Sequence, residues 1–227
     1  LTRTMPGTRF ALLDSKADLG GTWRTHTFPG IRSDSDLFTF GFKWKPWTGI
    51  PIATAEEILS YLDEAVEEND LRQHIRFGHT VENANWDSKS NTWQVKVQNA
   101  EGTSIIRCRF LWMCSGYYRH AAGYQPEWPG MAEFKGQIVH PQTWPDDLDH
   151  AGKRVVVIGS GATAATLIPA LAETTEHVTM LQRSPTYYYP RPSSDEFIDT
   201  LRALDLPAEW EHETLRRKFL HDTEPTQ

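Results

Sequence analysis

Lys153-Arg-Val-Val-Val-Ile158 runs directly into Gly159-Ser-Gly-Ala-Thr-Ala164, and the reading of this stretch decides the fold. The apolar run reads as a parallel-type strand, Lys153 to Ile158. The next six residues fit G-x-G-x-x-A, a pattern that is informative only between a strand and a helix. Here a helix is expected from Ala162 to about Glu173, and a second strand over His177–Gln182. Gly159 allows the tight turn, and Gly161 lets the backbone approach a pyrophosphate. The small Ala164 lets helix and strand pack closely. Ala162 and Thr163 open the helix, whose first N–H groups and partial positive charge suit phosphate oxygens. Ser160 completes the turn. A glycine-containing strand-to-helix turn without a ligand is the plainer alternative.

The second strand ends at Gln182-Arg183-Ser184. An acid at this place holds the ribose hydroxyl of NAD, whereas an arginine suits the 2′-phosphate of NADP. Arg183 therefore favours NADPH over NADH; the alternative is a solvated surface arginine. A helix is expected from about Ser194 to Leu204, and the chain ends after an unfinished helical pattern.

Upstream, Phe10 to Asp14 reads as a short buried strand ending in a carboxylate. It resembles the end of the second strand of another dinucleotide-binding unit, with Asp14 on the ribose of an adenosine. A strand-end surface carboxylate is the competing reading. The first strand of such a unit lies ~20–30 residues earlier, so both edges of the chain read as cuts. Gly20-Gly21 marks a tight passage, and residues 24–51 read as ordered loop. Thr54 with Glu57 forms a capping-box pattern that opens an amphipathic helix from Ala55 to about Asn69. Strands are expected at Thr80–Trp86, Thr92–Gln98 and Ser104–Arg109, separated by turn compositions, which makes an antiparallel meander. Phe110-Leu-Trp-Met-Cys114 reads as a further buried strand.

The fold class is therefore α/β: two dinucleotide-binding, Rossmann-like domains with parallel sheets plus a small antiparallel β-meander. The expected division is 1–120 for the first domain, with the meander at about 80–109. A proline-bearing linker at 121–152 follows, then the second domain at 153–227.

The formal net charge of −7 comes with no basic block, which argues against nucleic acid as a main partner. Nine Trp hint at a lined pocket. Two cysteines, Cys108 and Cys114, make no disulfide framework, so a reduced cytoplasmic setting is expected, with Cys114 a small buried residue. No apolar run approaches the ~20 residues of a membrane span, and no signal peptide opens the chain. No metal site is expected.

Three further segments carry a resemblance. Leu19-Gly-Gly-Thr-Trp23, Phe28-Pro-Gly-Ile-Arg-Ser-Asp34 and Phe134-Lys-Gly-Gln-Ile-Val-His-Pro-Gln-Thr-Trp-Pro145 together resemble the class B flavoprotein monooxygenases. The last matches F-x-G-x-x-x-H-x-x-x-W-(P/D) on Phe134, Gly136, His140, Trp144 and Pro145, and the Trp–Pro ending resembles the Baeyer–Villiger branch. Asp34-Ser-Asp36, Cys114-Ser-Gly-Tyr-Tyr118 and Gln182-Arg-Ser-Pro-Thr-Tyr187 extend the likeness, which reaches about Arg191.

The resemblance implies FAD and NADPH as cofactors and insertion of one oxygen atom of O2 into a ketone through a peroxyflavin, giving an ester or lactone. It implies that Asp14 holds the FAD ribose. Gly20, Gly21, Thr22, Trp23, Arg24 and Thr25 would follow the FAD pyrophosphate and flavin, and the Val81 backbone would meet the adenine. Arg32, Ser33 and Asp34 would lie where flavin and nicotinamide meet, with Asp34 the carboxylate nearest the reaction. Gly159 through Ala165 would bind the NADPH pyrophosphate, and Arg183 with Ser184 its 2′-phosphate. His140 and Trp144 would couple cofactor binding to oxygenation. The residues leave plainer alternatives open: His140 as a structural histidine, Trp144 as packing, Asp34 and Asp36 as turn formers. Two functional alternatives also stand: N- or S-oxygenation of thioethers or amines, and an inactive NADP-binding module. The oligomeric state is left open.

Overall fold

The structure, a computed structural model, describes residues 1–188 and 195–223, the side chain of 223 excepted. The chain divides into two compact units. One comprises Leu1–Thr25 with Leu59–Ala122, the other His26–Ile58 with Gly123–Gln227.

In the first unit, β1 (Leu12–Leu13) and β2 (Ile75–Arg76) pair in parallel. β1 is shorter than the Phe10–Asp14 strand expected, because only two of its residues find a ladder partner. Phe10 instead stacks on the His74 ring at 4.2 Å. A single helical turn, α1 (Thr22–Thr25), follows the glycine pair.

The meander forms as expected: β3 (Thr80–Asp87), β4 (Thr92–Asn99) and β5 (Gly102–Cys108) pair antiparallel in that order. The first turn is built by Asp87, whose carboxylate accepts from the Lys89 N–H and the Ser90 hydroxyl. Those bonds, Ser90's first, hold its carboxyl below the usual range. Central β4 buries Val95 and Val97, and Trp86 meets its cross-strand partner Trp93 edge-on at 5.6 Å.

One expectation fails here. Residues 110–114 form no strand, and Phe110 and Trp112 are 89% and 86% exposed. Apolar composition makes a buried strand only beside partner strands, and among the described residues none hydrogen-bonds to this segment. For the same reason Cys114 is exposed, not buried.

Helix α3 (Ala55–Glu67) starts where its capping box predicts. Glu57 accepts from the Thr54 N–H at 2.8 Å and its hydroxyl at 2.9 Å, and Thr54 Oγ1 accepts from the Glu57 N–H at 3.3 Å. Ile58, Tyr61 and Ala65 line its buried stripe.

The second unit contains a one-turn helix, α2 (Leu37–Phe40), within the loop expected at 24–51. Its centre is a parallel pair, β6 (Arg154–Ile158) and β7 (His177–Leu181), in register from Arg154↔His177 to Ile158↔Leu181. Helix α4 (Ala162–Ala172) connects them. Phe28, Leu167 and Leu171 form a buried cluster, against which Ile31, Trp144, Val155, Val157 and Val178 pack. Val156 and Ile158 alternate outward and are exposed, while Val155 and Val157 pack toward α4.

Two more helices complete this unit, α5 (Glu196–Ala203) and α6 (Ala208–Thr223). The expected start at Ser194 lies outside the described residues. Asp195 caps α5 by accepting from the Phe197 N–H, and pairs with Lys218 of α6 at 2.8 Å. Arg202 ties Glu211 at 3.0 Å to the carbonyls of Thr48 and Gly49 at 2.5 and 3.0 Å. His212 of α6 is 4% exposed, with neither ring nitrogen hydrogen-bonded among the described residues. Burial pushes its pKa down.

Among the described residues no helix is long and apolar enough to cross a membrane, and no cluster of His, Cys, Asp and Glu is arranged to hold a metal ion.

Candidate functional site

The glycine turn between β6 and α4 has the geometry its sequence demands. Gly159 sits at φ +126°, a conformation an L side chain rarely adopts, and its N–H donates to the Leu181 carbonyl at 2.9 Å. Gly161 is different. As the N-cap of α4 its φ is −81°, which any residue reaches, and a Cβ built there meets nothing within 4 Å. Its glycine therefore answers to open space above the turn, not to the backbone angle. Among the described residues no side chain caps α4, which leaves the N–H groups that begin it at Ala162, Thr163 and Ala164 to a ligand or solvent. Ala164 is buried, and Ala165 donates back to the Gly161 carbonyl at 3.0 Å. This arrangement fits a pyrophosphate: an open cradle, unused amides and a helix of 11 residues behind them.

The segment after β7 bends over the same turn. Ser160 Oγ and Thr186 Oγ1 lie 2.6 Å apart, and the Tyr188 hydroxyl donates to the Ser160 carbonyl at 3.1 Å. Arg183 and Ser184 lie exposed between these anchors and β7. Among the described residues Arg183 makes no ion pair, so its charge is available to an anion. Thr186 and Tyr188 went unrecognised as anchors in the sequence; their contacts span 26 and 28 residues, and no local pattern signals them.

The Phe28–Asp34 segment docks on α4. Gly30 has φ +76°, and a Cβ there would lie 2.6 Å from the Thr166 carbonyl oxygen and 2.8 Å from Ala170 Cβ. Phe28 and Ile31 on either side enter the α4 core. The Ser33 N–H donates to the Ala53 carbonyl at 2.8 Å, and buried Ser33 Oγ accepts from the Ala53 N–H at 3.1 Å. Ser33 thus spends its hydroxyl on the fold. Arg32 bridges Thr54 through the backbone and its side chain is exposed beside a depression of about 400 Å³ lined by Gly30, Ile31, Thr54 and Glu56. Asp34 is exposed and accepts from the Ser35 hydroxyl at 3.2 Å. Asp36 caps α2 by accepting from the Thr39 N–H at 2.7 Å, a turn-forming role.

The Phe134–Pro145 fingerprint is a set of close fits within the same unit. Phe134 folds over Gly136, where a Cβ would come 2.5 Å from its ring. His140 Nδ1 accepts from the Gln142 N–H at 3.2 Å, capping the turn Pro141–Thr143. Trp144 packs on Phe28, Leu167 and Leu171 and meets His150 edge-on at 6.0 Å.

In the first unit, Asp14 stands at the end of β1. Its Oδ1 accepts from the Lys16 N–H at 2.8 Å; Oδ2 has no partner among the described residues. The Asp14 carbonyl accepts from the His79 N–H at 2.9 Å, which brings Val81 to the same edge. Val81 is a half-exposed residue at a bulge on edge strand β3, where the ladder shifts and frees backbone groups. Gly20 and Gly21 take φ +117° and +51°, and a Cβ on Gly20 would strike Leu59. The Trp23 and Thr25 N–H groups donate to the Gly20 and Gly21 carbonyls, forming α1, in which Thr22 is half-buried. Arg24 pairs with Asp18 at 2.9 Å. A carboxylate with an unused oxygen, an exposed edge backbone and a glycine passage are compatible with an adenosine and its phosphates.

Comparison with known proteins gives one direction. The model of the family described as flavin-binding monooxygenase-like matches residues 51–200. The FAD-containing monooxygenase EthA of Mycolicibacterium smegmatis is 50% identical over 192 residues, 84% of this chain and 39% of that protein. OTEMO, solved in complex with FAD and NADP, superposes with a TM-score of 0.70 at 31% identity, covering 87% of this chain and 39% of that one. Cyclohexanone monooxygenase from Rhodococcus sp. Phi1, solved with NADP+, gives 0.67 at 33% identity, covering 85% and 37%. The chain thus spans about two fifths of the length of the relatives it matches.

Proposed function

The chain belongs to the flavin-binding monooxygenase-like family, and on that premise we propose that the protein carrying these residues is an FAD- and NADPH-dependent monooxygenase that inserts one oxygen atom of O2 into a ketone, giving an ester or lactone. The observation that carries this reading is the turn from β6 into α4, where Gly159 and Gly161 leave an open cradle of helix N–H groups. The Trp144–Pro145 ending and the likeness to cyclohexanone monooxygenase favour the ketone over a thioether or amine.

The division of labour follows from the residues. NADPH is held at the pyrophosphate by the N–H groups of Ala162 and Thr163, which offer fixed dipoles to phosphate oxygens. Arg183 and Ser184 take the 2′-phosphate, the guanidinium supplying charge and the hydroxyl a donor. Asp14 accepts from the ribose hydroxyls of FAD, and the Val81 backbone meets its adenine. Gly21, with open space where a Cβ would stand, would leave room for the pyrophosphate of FAD beside α1, and Gly20 makes room for Leu59. Arg32 and Asp34 give one positive and one negative group at the exposed end of the 28–34 segment. FAD, when bound, supplies the redox and oxygen chemistry.

The test starts with an absorbance spectrum of the chain incubated with FAD and desalted, followed by NADPH consumption with matched ketone, thioether and amine panels. Retained flavin and ketone-dependent NADPH consumption with an ester product are expected. Turnover of thioethers or amines alone moves the assignment to S- or N-oxygenation, and NADP+ binding without flavin reduces it to a nucleotide-binding module.

A further inference from the structure

His140 belongs to the fingerprint, but the residue that positions its ring does not. A Cβ built on Gly123 would overlap the edge of the His140 imidazole, 2.1 Å from Cε1, 2.3 Å from Nδ1 and 2.6 Å from Nε2. Gly123 is not among the glycines with positive φ. Its lack of a side chain therefore serves space alone: the ring lies too close for an alanine methyl to stand beside it. On the other side the Gln142 N–H donates to Nδ1 at 3.2 Å, and the Thr143 N–H donates to the His140 carbonyl at 2.9 Å. Pro141 opens the turn that aims the Gln142 N–H at the ring.

We infer that Gly123 is the seat of the His140 ring, and that this seat and the Gln142 N–H together fix His140 as an Nε2–H donor. A neutral imidazole carries one N–H, and a nitrogen that accepts cannot hold it, so with Nδ1 accepting the proton resides on Nε2. Turning the ring over would place Cδ2 where Nδ1 now accepts and orphan the Gln142 amide. Gly123 is thus a positioning residue that acts through His140. The inference deepens the proposed function, and only its consequence rests on that reading: His140 contributes a fixed N–H to a carbonyl or phosphate oxygen and does not serve as a general base while the cap is made.

The experiment uses the chain without cofactor, so it stands apart from the fate of the monooxygenase assignment. Long-range proton–nitrogen spectra of the histidine-labelled chain report which ring nitrogen is protonated; the His140 pattern is the one missing in His140→Asn. Protonated Nε2 with bare Nδ1 is expected, and mixed tautomers in Gly123→Ala. Stability supplies a second readout. Asn at 140 keeps an oxygen to cap the turn but has no ring. Gly123→Ala should therefore lower the urea midpoint in the native background and leave it unmoved in the His140→Asn background, a coupling a double-mutant cycle isolates. A proton on Nδ1 in the unaltered chain, an unchanged ring pattern in Gly123→Ala, or an equal midpoint loss in both backgrounds overturns the inference.

Discussion

Replacing Gly161 with alanine should separate binding from folding. The position is an N-cap at φ −81°, and the added methyl meets no atom of the described residues within 4 Å. The cost to the fold is that of exchanging glycine for alanine at a cap, about 1 kcal/mol or less. The cost to binding is larger, because the methyl occupies the space through which a pyrophosphate reaches the amides of α4. Losing one hydrogen bond to a charged group costs about 1.5–3 kcal/mol, so NADP+ should bind roughly 10- to 150-fold more weakly. Gly159→Ala provides the contrast. At φ +126° with equally open surroundings, it should cost about 1–3 kcal/mol of stability through backbone strain. Calorimetric titration with NADP+ beside urea unfolding measures both quantities on each variant. Native affinity in Gly161→Ala with an unchanged unfolding midpoint would refute the placement of the phosphates on this turn.

Three further outcomes are expected. Arg183→Glu should weaken NADP+ by about tenfold or more while sparing NAD+, read as the ratio of the two dissociation constants, since a carboxylate repels the 2′-phosphate and welcomes the free hydroxyl. Gly30→Ala should lose about 2–4 kcal/mol in urea unfolding, combining a left-handed backbone with overlap on the Thr166 carbonyl; a loss below about 0.5 kcal/mol would show that the segment does not dock on α4. His212 gives a pH dependence. Burial lowers its folded pKa, so below its ordinary value of about 6.5 the unfolded chain takes up a proton that the folded chain refuses. This contribution to stability is present above that value and is lost as pH falls through the lowered folded pKa. His212→Leu should reduce the fall in urea midpoint between neutral and mildly acidic buffer, and an identical fall in both proteins would assign it elsewhere.

What the sequence disclosed follows the range of the interactions concerned. The β6–α4 turn was legible because its apolar run, glycines and helix start are contiguous, and each constrains the others. The capping box at Thr54 and the Asp87 turn were legible for the same reason: donor and acceptor lie within three residues. The Phe110–Cys114 segment has strand composition, but a strand is a relation between segments, and among the described residues no ladder joins it. For Asp36 the turn-forming alternative holds, because its carboxylate accepts from the Thr39 amide three residues on. Gly30 and Gly123 were passed over because the atoms that forbid a side chain there come from Thr166 and His140, far along the chain. A glycine held by a torsion announces itself in a turn pattern; a glycine held by a distant neighbour does not.

The two bonds from the 183–188 segment to Ser160 bear on how coenzyme preference can change by descent or by design. Arg183 is carried on a strap whose far end is fastened to the phosphate turn, so the group that reads the ribose and the groups that read the pyrophosphate are inherited in one geometry. Exchanging Arg183 alone alters a charge but leaves the strap cut to its old length. The natural unit of exchange is the whole cassette from Gln182 to Tyr188, transplanted with the serine to which it is tied.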